Sequence, residues 1–164
     1  MITVNQTYFP YNAIDKIAER LDLIDPDVVL LKRPIKESDP VQAIGVFGTL
    51  WTPDEDTYEM KGSPPGIHEP TLSSYIISIQ VFIKDADQER GAAVHGTLSK
   101  IVRAMLYRDD ALRVALRQLT AVAAGSTEST RRFGPRTTRY LTNELSGSWL
   151  YLSNIEFWLE TETS

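Results

Sequence analysis

Apolar residues recur along this chain with two periods, and the change of period marks out its elements. Between residues 11 and 24, Ile14, Ile17, Ala18, Leu21 and Ile24 fall on one face of a helix. Asn12 is placed to cap its start, Asp15 suits its dipole, and Pro26 ends the pattern. Val28–Leu31 is a short run of strand type. Val41–Trp51 follows as a strand with Val41, Ala43, Phe47 and Trp51 on one side, and its Gly45 and Gly48 predict a bulge or a close neighbour. Tyr75–Lys84 alternates most cleanly, with Tyr75, Ile77, Ile79, Val81 and Ile83 on one face.

Helical spacing returns over residues 87–107, where Val94, Leu98, Ile101, Val102, Met105 and Leu106 form a stripe. A second, short helix follows Asp109 or Asp110 as cap, with Leu112, Ala115, Leu116 and Leu119 inward and Arg113 and Arg117 outward. Asp109 and Arg113 have the spacing of an ion pair one turn apart. Thr120–Ala124 reads as a strand, and 125–135 as a stretch containing turn formers and then two arginines. The RTTRY segment after Pro135 predicts an edge strand or hairpin arm. Ser148–Thr161 is a long strand with Trp149, Tyr151, Ile155, Phe157 and Leu159 on its core face, and ETETS is a polar tail.

Strands cluster here instead of alternating with helices. That predicts an α+β fold: a mainly antiparallel sheet of four to five strands with helices packed on one face. The 164 residues suit a single domain over 1–164, with a long loop 52–70 and an arm at 125–139. Four prolines and two glycines exclude regular structure from that loop, and loops of such length are usually functional or disordered.

Composition narrows the chemistry. The sequence has no cysteine, which excludes disulfides and thiolate metal sites. It shows neither a signal-peptide pattern nor an apolar run near the length that spans a bilayer, so we expect a soluble protein without a membrane partner. The net charge of −5 is unevenly spread: residues 1–90 hold eight basic against 15 acidic residues, and 91–164 nine against seven. Such polarity suits subunits whose unlike surfaces meet, and it is also what an accidentally clustered solvated surface would give.

The sequence has no phosphate-binding loop, nucleophile elbow or HExxH. Of its two histidines, His68 stands beside Glu69, as a base oriented by a carboxylate or as a loop residue at a subunit contact. His95 reads as a partly exposed helix residue. Asp54, Glu55 and Asp56 are a candidate hard-cation cluster or a solvated acidic patch. Arg131, Arg132, Arg136 and Arg139 are the densest basic stretch, with Phe133 between them. They suit nucleic-acid phosphates or, as we prefer in an acidic protein with a pI near 5.1, protein contacts. In an extended strand Arg132, Gly134 and Arg136 share a face. Trp158 falls among Glu156 and Glu160 on the polar side of the last strand, which predicts a covered surface. Trp51 stands where the long loop leaves its strand.

The order of several segments resembles a known family. Ile44-Gly45-Val46-Phe47 leads through Trp51-Thr52-Pro53-Asp54 into the loop, and Glu69-Pro70-Thr71-Leu72 leads into the Tyr75–Gln80 strand. Val102-Arg103, Leu106, Asp110 and Leu112-Arg113 follow, then Leu150-Tyr151-Leu152-Ser153 and Glu160-Thr161-Glu162-Thr163. Together, over roughly residues 40–162, these resemble the tail terminator (head–tail joining, neck) proteins of long-tailed bacteriophages, especially those infecting actinobacteria. The resemblance implies a small α+β structural protein without enzymatic activity or cofactors. It implies a homo-oligomeric ring, a hexamer in that family, located in the virion neck and assembled in the host cytoplasm. One face of the ring caps the tail tube protein and stops tail polymerisation. The other docks to a head-completion or connector protein, and genomic DNA passes through the lumen without specific binding. No catalytic, cofactor-binding or metal-ligating residue is assigned. The candidate interface residues are Trp51, Pro64, Pro65, Ile67 and His68 in and before the loop, and Arg131, Arg132, Phe133, Arg136 and Trp158 around the arm. The alternatives are another neck or tail-completion subunit, or a nucleic-acid-binding protein using Arg131–Arg139.

Overall fold

The computed structural model describes residues 9–53, 71–123, 126–145 and 147–163. Among these residues three helices and six strands follow in the order α1 (Phe9–Leu21), β1 (Val29–Leu31), β2 (Gln42–Pro53), β3 (Thr71–Asp85), α2 (Gln88–Arg108), α3 (Asp110–Arg117), β4 (Thr120–Ala123), β5 (Ser126–Leu145) and β6 (Ser148–Thr163). The strands form one sheet in the order β1-β2-β3-β6-β5-β4. Only β1 and β2 run parallel; the other neighbours are antiparallel. The fold is therefore α+β, but the sheet is mixed and has six strands, not four to five. The count is six because both short runs read as strands, at Val28–Leu31 and Thr120–Ala124, join the sheet as β1 and β4, three and four residues long.

Alternation in β3 and β6 divides the sheet into two faces. The odd-numbered side of β3, from Tyr75 to Ile83, and Tyr151, Ile155, Phe157 and Leu159 of β6 are buried under the helices. Ile14, Ile17 and Leu21 of α1, Leu98, Val102 and Leu106 of α2, and Leu112 and Leu116 of α3 fill the same core. On the opposite face Ala43, Phe82 and Leu150 make a smaller cluster, covered in part by Ile35. Ile35 lies on the crossover between the two parallel strands, and its N–H donates to Gln80 Oε1 at 2.9 Å. Gly45 lets this crossover come close, because a Cβ there would stand 2.7 Å from the Arg33 carbonyl oxygen. The strand pairing slips between Gly48 and Leu50, so both glycine expectations for β2 are met.

Several local expectations are corrected. α1 begins at Phe9, so Asn12 lies inside the helix and does not cap it. Asp109 does cap α3, accepting from Leu112 N–H at 2.8 Å, but its ion pair runs to Arg20 and not to Arg113. Arg20 Nε and Nη2 both donate to Asp109 Oδ2, at 3.1 and 2.9 Å, which ties α1 to the α2–α3 junction and holds the Asp109 carboxyl below its usual pKa. Arg113 instead lies 3.4 Å from Asp110.

The stripe of α2 is rotated from the one predicted. Gly91, His95, Leu98, Ser99, Val102 and Leu106 are buried, whereas Ile101 is 45% exposed. Two polar residues in the buried face hid its true phase. Residues 126–135 belong to β5, and the ETET segment extends β6 to Thr163. Glu128, Glu160 and Thr161 find partners across the sheet, so a polar composition did not mean a loop. Glu128 Oε1 accepts from Tyr75 Oη at 2.6 Å and also from Thr161 Oγ1.

Candidate interaction surface

The longest strand of the sheet is half an edge. β4 pairs with β5 only as far as Ser129, opposite Thr120. From Thr130 to Leu145, β5 is paired with β6 on one side and has no strand on the other among the described residues. Gly134 and Pro135 sit within this free stretch, where a missing N–H and a missing side chain cost little. The ladder slips between Thr130 and Arg132, and again between Pro135 and Thr138. Bulges, proline and charge are the usual devices that blunt an edge against uncontrolled pairing.

Four of the sequence-predicted residues meet here. Gly134 stands opposite Trp158 in the ladder, so no side chain covers the indole from that position. The guanidinium carbons of Arg132 and Arg136 lie 5.4 and 4.3 Å from the centre of the Trp158 ring. Arg132 also forks onto Glu160, with Nε to Oε1 at 3.0 Å and Nη2 to Oε2 at 3.2 Å, and this pairing raises the arginine pKa. Arg131 adds a contact to Glu160 Oε1 at 3.6 Å. Glu160 is only 7% exposed, so its burial rests on these two arginines. Phe133 points elsewhere: its ring stacks on Phe157, 6.2 Å between centres, beside the main core.

A cleft of about 540 Å³ opens where α3 faces this edge. Arg113 and Arg117 come from α3, Tyr107 from α2, and Arg131, Arg132 and Trp158 from the sheet. Leu106 and Phe133 reach its floor. Arg103 holds the edge from behind, donating to the Thr138 hydroxyl while its guanidinium lies 5.6 Å from the centre of the Tyr107 ring. Beyond the second bulge, Tyr140 and Leu141 are 66% and 62% exposed.

Trp51 lies in β2 opposite Tyr75; its side chain, and all of Pro64, Pro65, Ile67, His68 and Asp54 to Asp56, lie outside the described residues. The sequence reading missed Arg113, Arg117 and Glu160 as parts of one surface. The outward arginines of α3 were visible, but not that β5 runs past them.

His95 is buried, at 6% exposure, and not partly exposed as the sequence suggested. Its ring stacks on Tyr151, 5.7 Å between centres, and stands edge-on to Tyr140. Ser99 Oγ lies 2.8 Å from Ser153 Oγ and 3.5 Å from His95 Nε2. Burial lowers the His95 pKa, so the ring stays neutral at neutral pH. The cluster seats α2 on β6.

No group of three or more potential ligand side chains able to hold a metal occurs among the described residues. None of the described helices is long and apolar enough to cross a membrane. No protein-family model matches the chain, and no curated protein sequence matches it.

Proposed function

We propose that this chain is a structural subunit that assembles with copies of itself into a ring at the neck of a long-tailed bacteriophage. In this reading the ring caps the tail tube, ends tail polymerisation and joins tail to head. The chain works through protein contacts and not by catalysis. The family assignment rests on the segment order between residues 40 and 162.

The observation that carries the assembly reading is the free edge of β5. It presents Arg131, Arg136 and Arg139, then Tyr140 and Leu141, along a stretch with no pairing strand among the described residues. Arginine and tyrosine are the residue types that anchor protein interfaces. The nucleic-acid reading has less support. Glu160 already engages Arg131 and Arg132, and two guanidinium groups already lie over the Trp158 ring, where a base would stack. Another neck or tail-completion subunit would use the same kind of surface.

The experiment is assembly of phage tails with and without the protein, viewed by electron microscopy. The reading predicts overlong tails in its absence and tubes of fixed length, capped by a ring, when it is restored. Tails of normal length without it would refute the terminator role.

A further inference from the structure

We infer that Tyr140 of one copy seats in the groove between the α1–β1 turn and α2 of a second copy of this chain. The inference rests on the ring-forming reading and names the contact that would hold neighbours together.

The groove holds about 310 Å³. Ile24 and Val28 line it from the turn that leads into β1, and Val94, Leu98 and Ile101 line it from α2. An apolar cavity of about 150 Å³ already takes a benzene ring, so this one has room for an aromatic side chain. Asp25 and Gln42 also line it and offer acceptor oxygens, which suits a ring that carries a hydroxyl. The apolar surface extends beyond the groove. Leu23 and Val41, chain neighbours of Ile24 and Gln42, are exposed, as is Ile101. Exposed apolar residues gathered around an apolar groove mark a surface that another molecule covers.

Charge points to the free edge of β5 as the covering part. Asp22, Asp25 and Asp27 stand along the turn and make no ion pair among the described residues. Lys100, beside Ile101, is the one cation next in sequence to a lining residue. Tyr140 is the most exposed aromatic ring among the described residues. Arg136 and Arg139, which precede it, also make no ion pair among the described residues. Glu144 is the only carboxylate between Arg136 and Leu145. A tyrosine that follows two arginines thus complements an apolar groove beside three aspartates.

The two surfaces lie on opposite flanks of α2. Tyr140 stands edge-on to His95 on one flank, and Val94, Thr97 and Ile101 line the groove on the other. Tyr140 is opposite Ser153, Ser153 opposite Val81, and Val81 opposite Ile44, two residues beyond Gln42. Three strand spacings, about 14 Å along the sheet, therefore separate the strand of the ring from the strand of the groove. α2 packs on β3 and β6, the strands between them. The ring is thus barred from the groove of its own copy, and a neighbour supplies it. Two unlike surfaces on opposite flanks make a head-to-tail contact, which closes into a ring when the rotation per subunit divides the circle.

The test uses the full-length protein in two variants, Tyr140→Ser and Ile101→Lys, both at exposed positions. Circular dichroism checks that they fold. Thr97→Lys, at another exposed position in the groove, replaces Ile101→Lys if that chain does not fold. Native mass spectrometry reads the assembly. Each variant alone should self-associate at least tenfold more weakly than the unaltered protein, as loss of an interface anchor does. The two mixed should form a pair and stop there, because one intact ring meets one intact groove while the second contact is broken on both sides. Assembly of either variant at unaltered strength, or a mixture that forms no pair, overturns the inference while the ring reading stands. Tail tubes that bind the Tyr140→Ser protein at full strength but not the Ile101→Lys protein assign the groove to the tube protein and also overturn it. Should the unaltered protein stay solitary both in solution and on tail tubes, the ring reading falls and this contact with it.

Discussion

Arg136 lies over the indole of Trp158, with 4.3 Å between the guanidinium carbon and the ring centre, and Gly134 between the two arginines leaves that ring open. Arg132 holds the other position, 5.4 Å from the same centre, while gripping Glu160. A large aromatic residue on the polar face of the last strand is thus covered by two cations from its neighbour strand.

Arg136→Ala should cost about 0.5–1 kcal/mol of folding stability, the range for an exposed cation–π contact. Urea unfolding monitored by far-UV circular dichroism measures it. Arg136→Lys should recover part of the loss, since the charge is kept and the planar stacking is not. Equal stability of all three proteins would mean that the contact contributes nothing.

Gly91→Ala should destabilise the protein by about 1–3 kcal/mol, as overpacking of a tight contact does. A Cβ at this position would stand 2.7 Å from Tyr151 Cε2 and 3.0 Å from Asp85 Cβ. Tyr151 cannot easily yield, because its hydroxyl donates to the Gln88 carbonyl at 2.7 Å and its ring stacks on His95. Helix propensity alone predicts the opposite sign, a gain of up to about 1 kcal/mol, so the direction of the change decides between them.

Asp109→Ala removes both the cap of α3 and the partner of Arg20. A loss of about 1–3 kcal/mol is expected. Asp109→Asn keeps a capping oxygen and gives up the charge, so it should cost less. Denaturant midpoints of the three proteins give the comparison.

Stability should fall with acid in two stages. His95 is held neutral by burial, so below pH 6.5 the unfolded chain binds a proton that the folded chain refuses, and unfolding gains. His95→Gln should flatten this first decline. Asp39 and Asp85, bonded to Arg33 and Arg90, have their pKa lowered from 3.8 to about 2. Their contribution is full above pH 3.8 and disappears as the pH falls toward 2. Unfolding free energy measured across this range should show both steps, with the second reduced in an Asp39→Asn, Asp85→Asn protein and the remainder carried by Asp109, whose carboxyl Arg20 also holds below its usual pKa.

Sequence alone carried the parts of the fold governed by one face of one element. The alternation from Tyr75 to Ile83 and from Trp149 to Leu159 places the central strands correctly, because each buries one side against helices. It failed where partners lie far apart in the chain. Ser99 and Ser153 satisfy each other inside the core, so the polar residues of α2 looked like a surface. Glu160 and Thr161 looked like a tail because Arg131, Arg132 and Glu128, which accompany them in the sheet, come from another strand. The covered character of Trp158 was legible from its charged neighbours; that Arg132 and Arg136 cover it required the register of β5 on β6.

Electron microscopy of the purified protein mixed with phage tail tubes tests self-assembly at the tube end most directly. We expect closed rings of identical copies seated on the tube ends, lost when Arg131, Arg136 and Arg139 are replaced by glutamate in a chain that still folds. Bare tube ends, with the unaltered protein solitary at every concentration tried, would contradict the account.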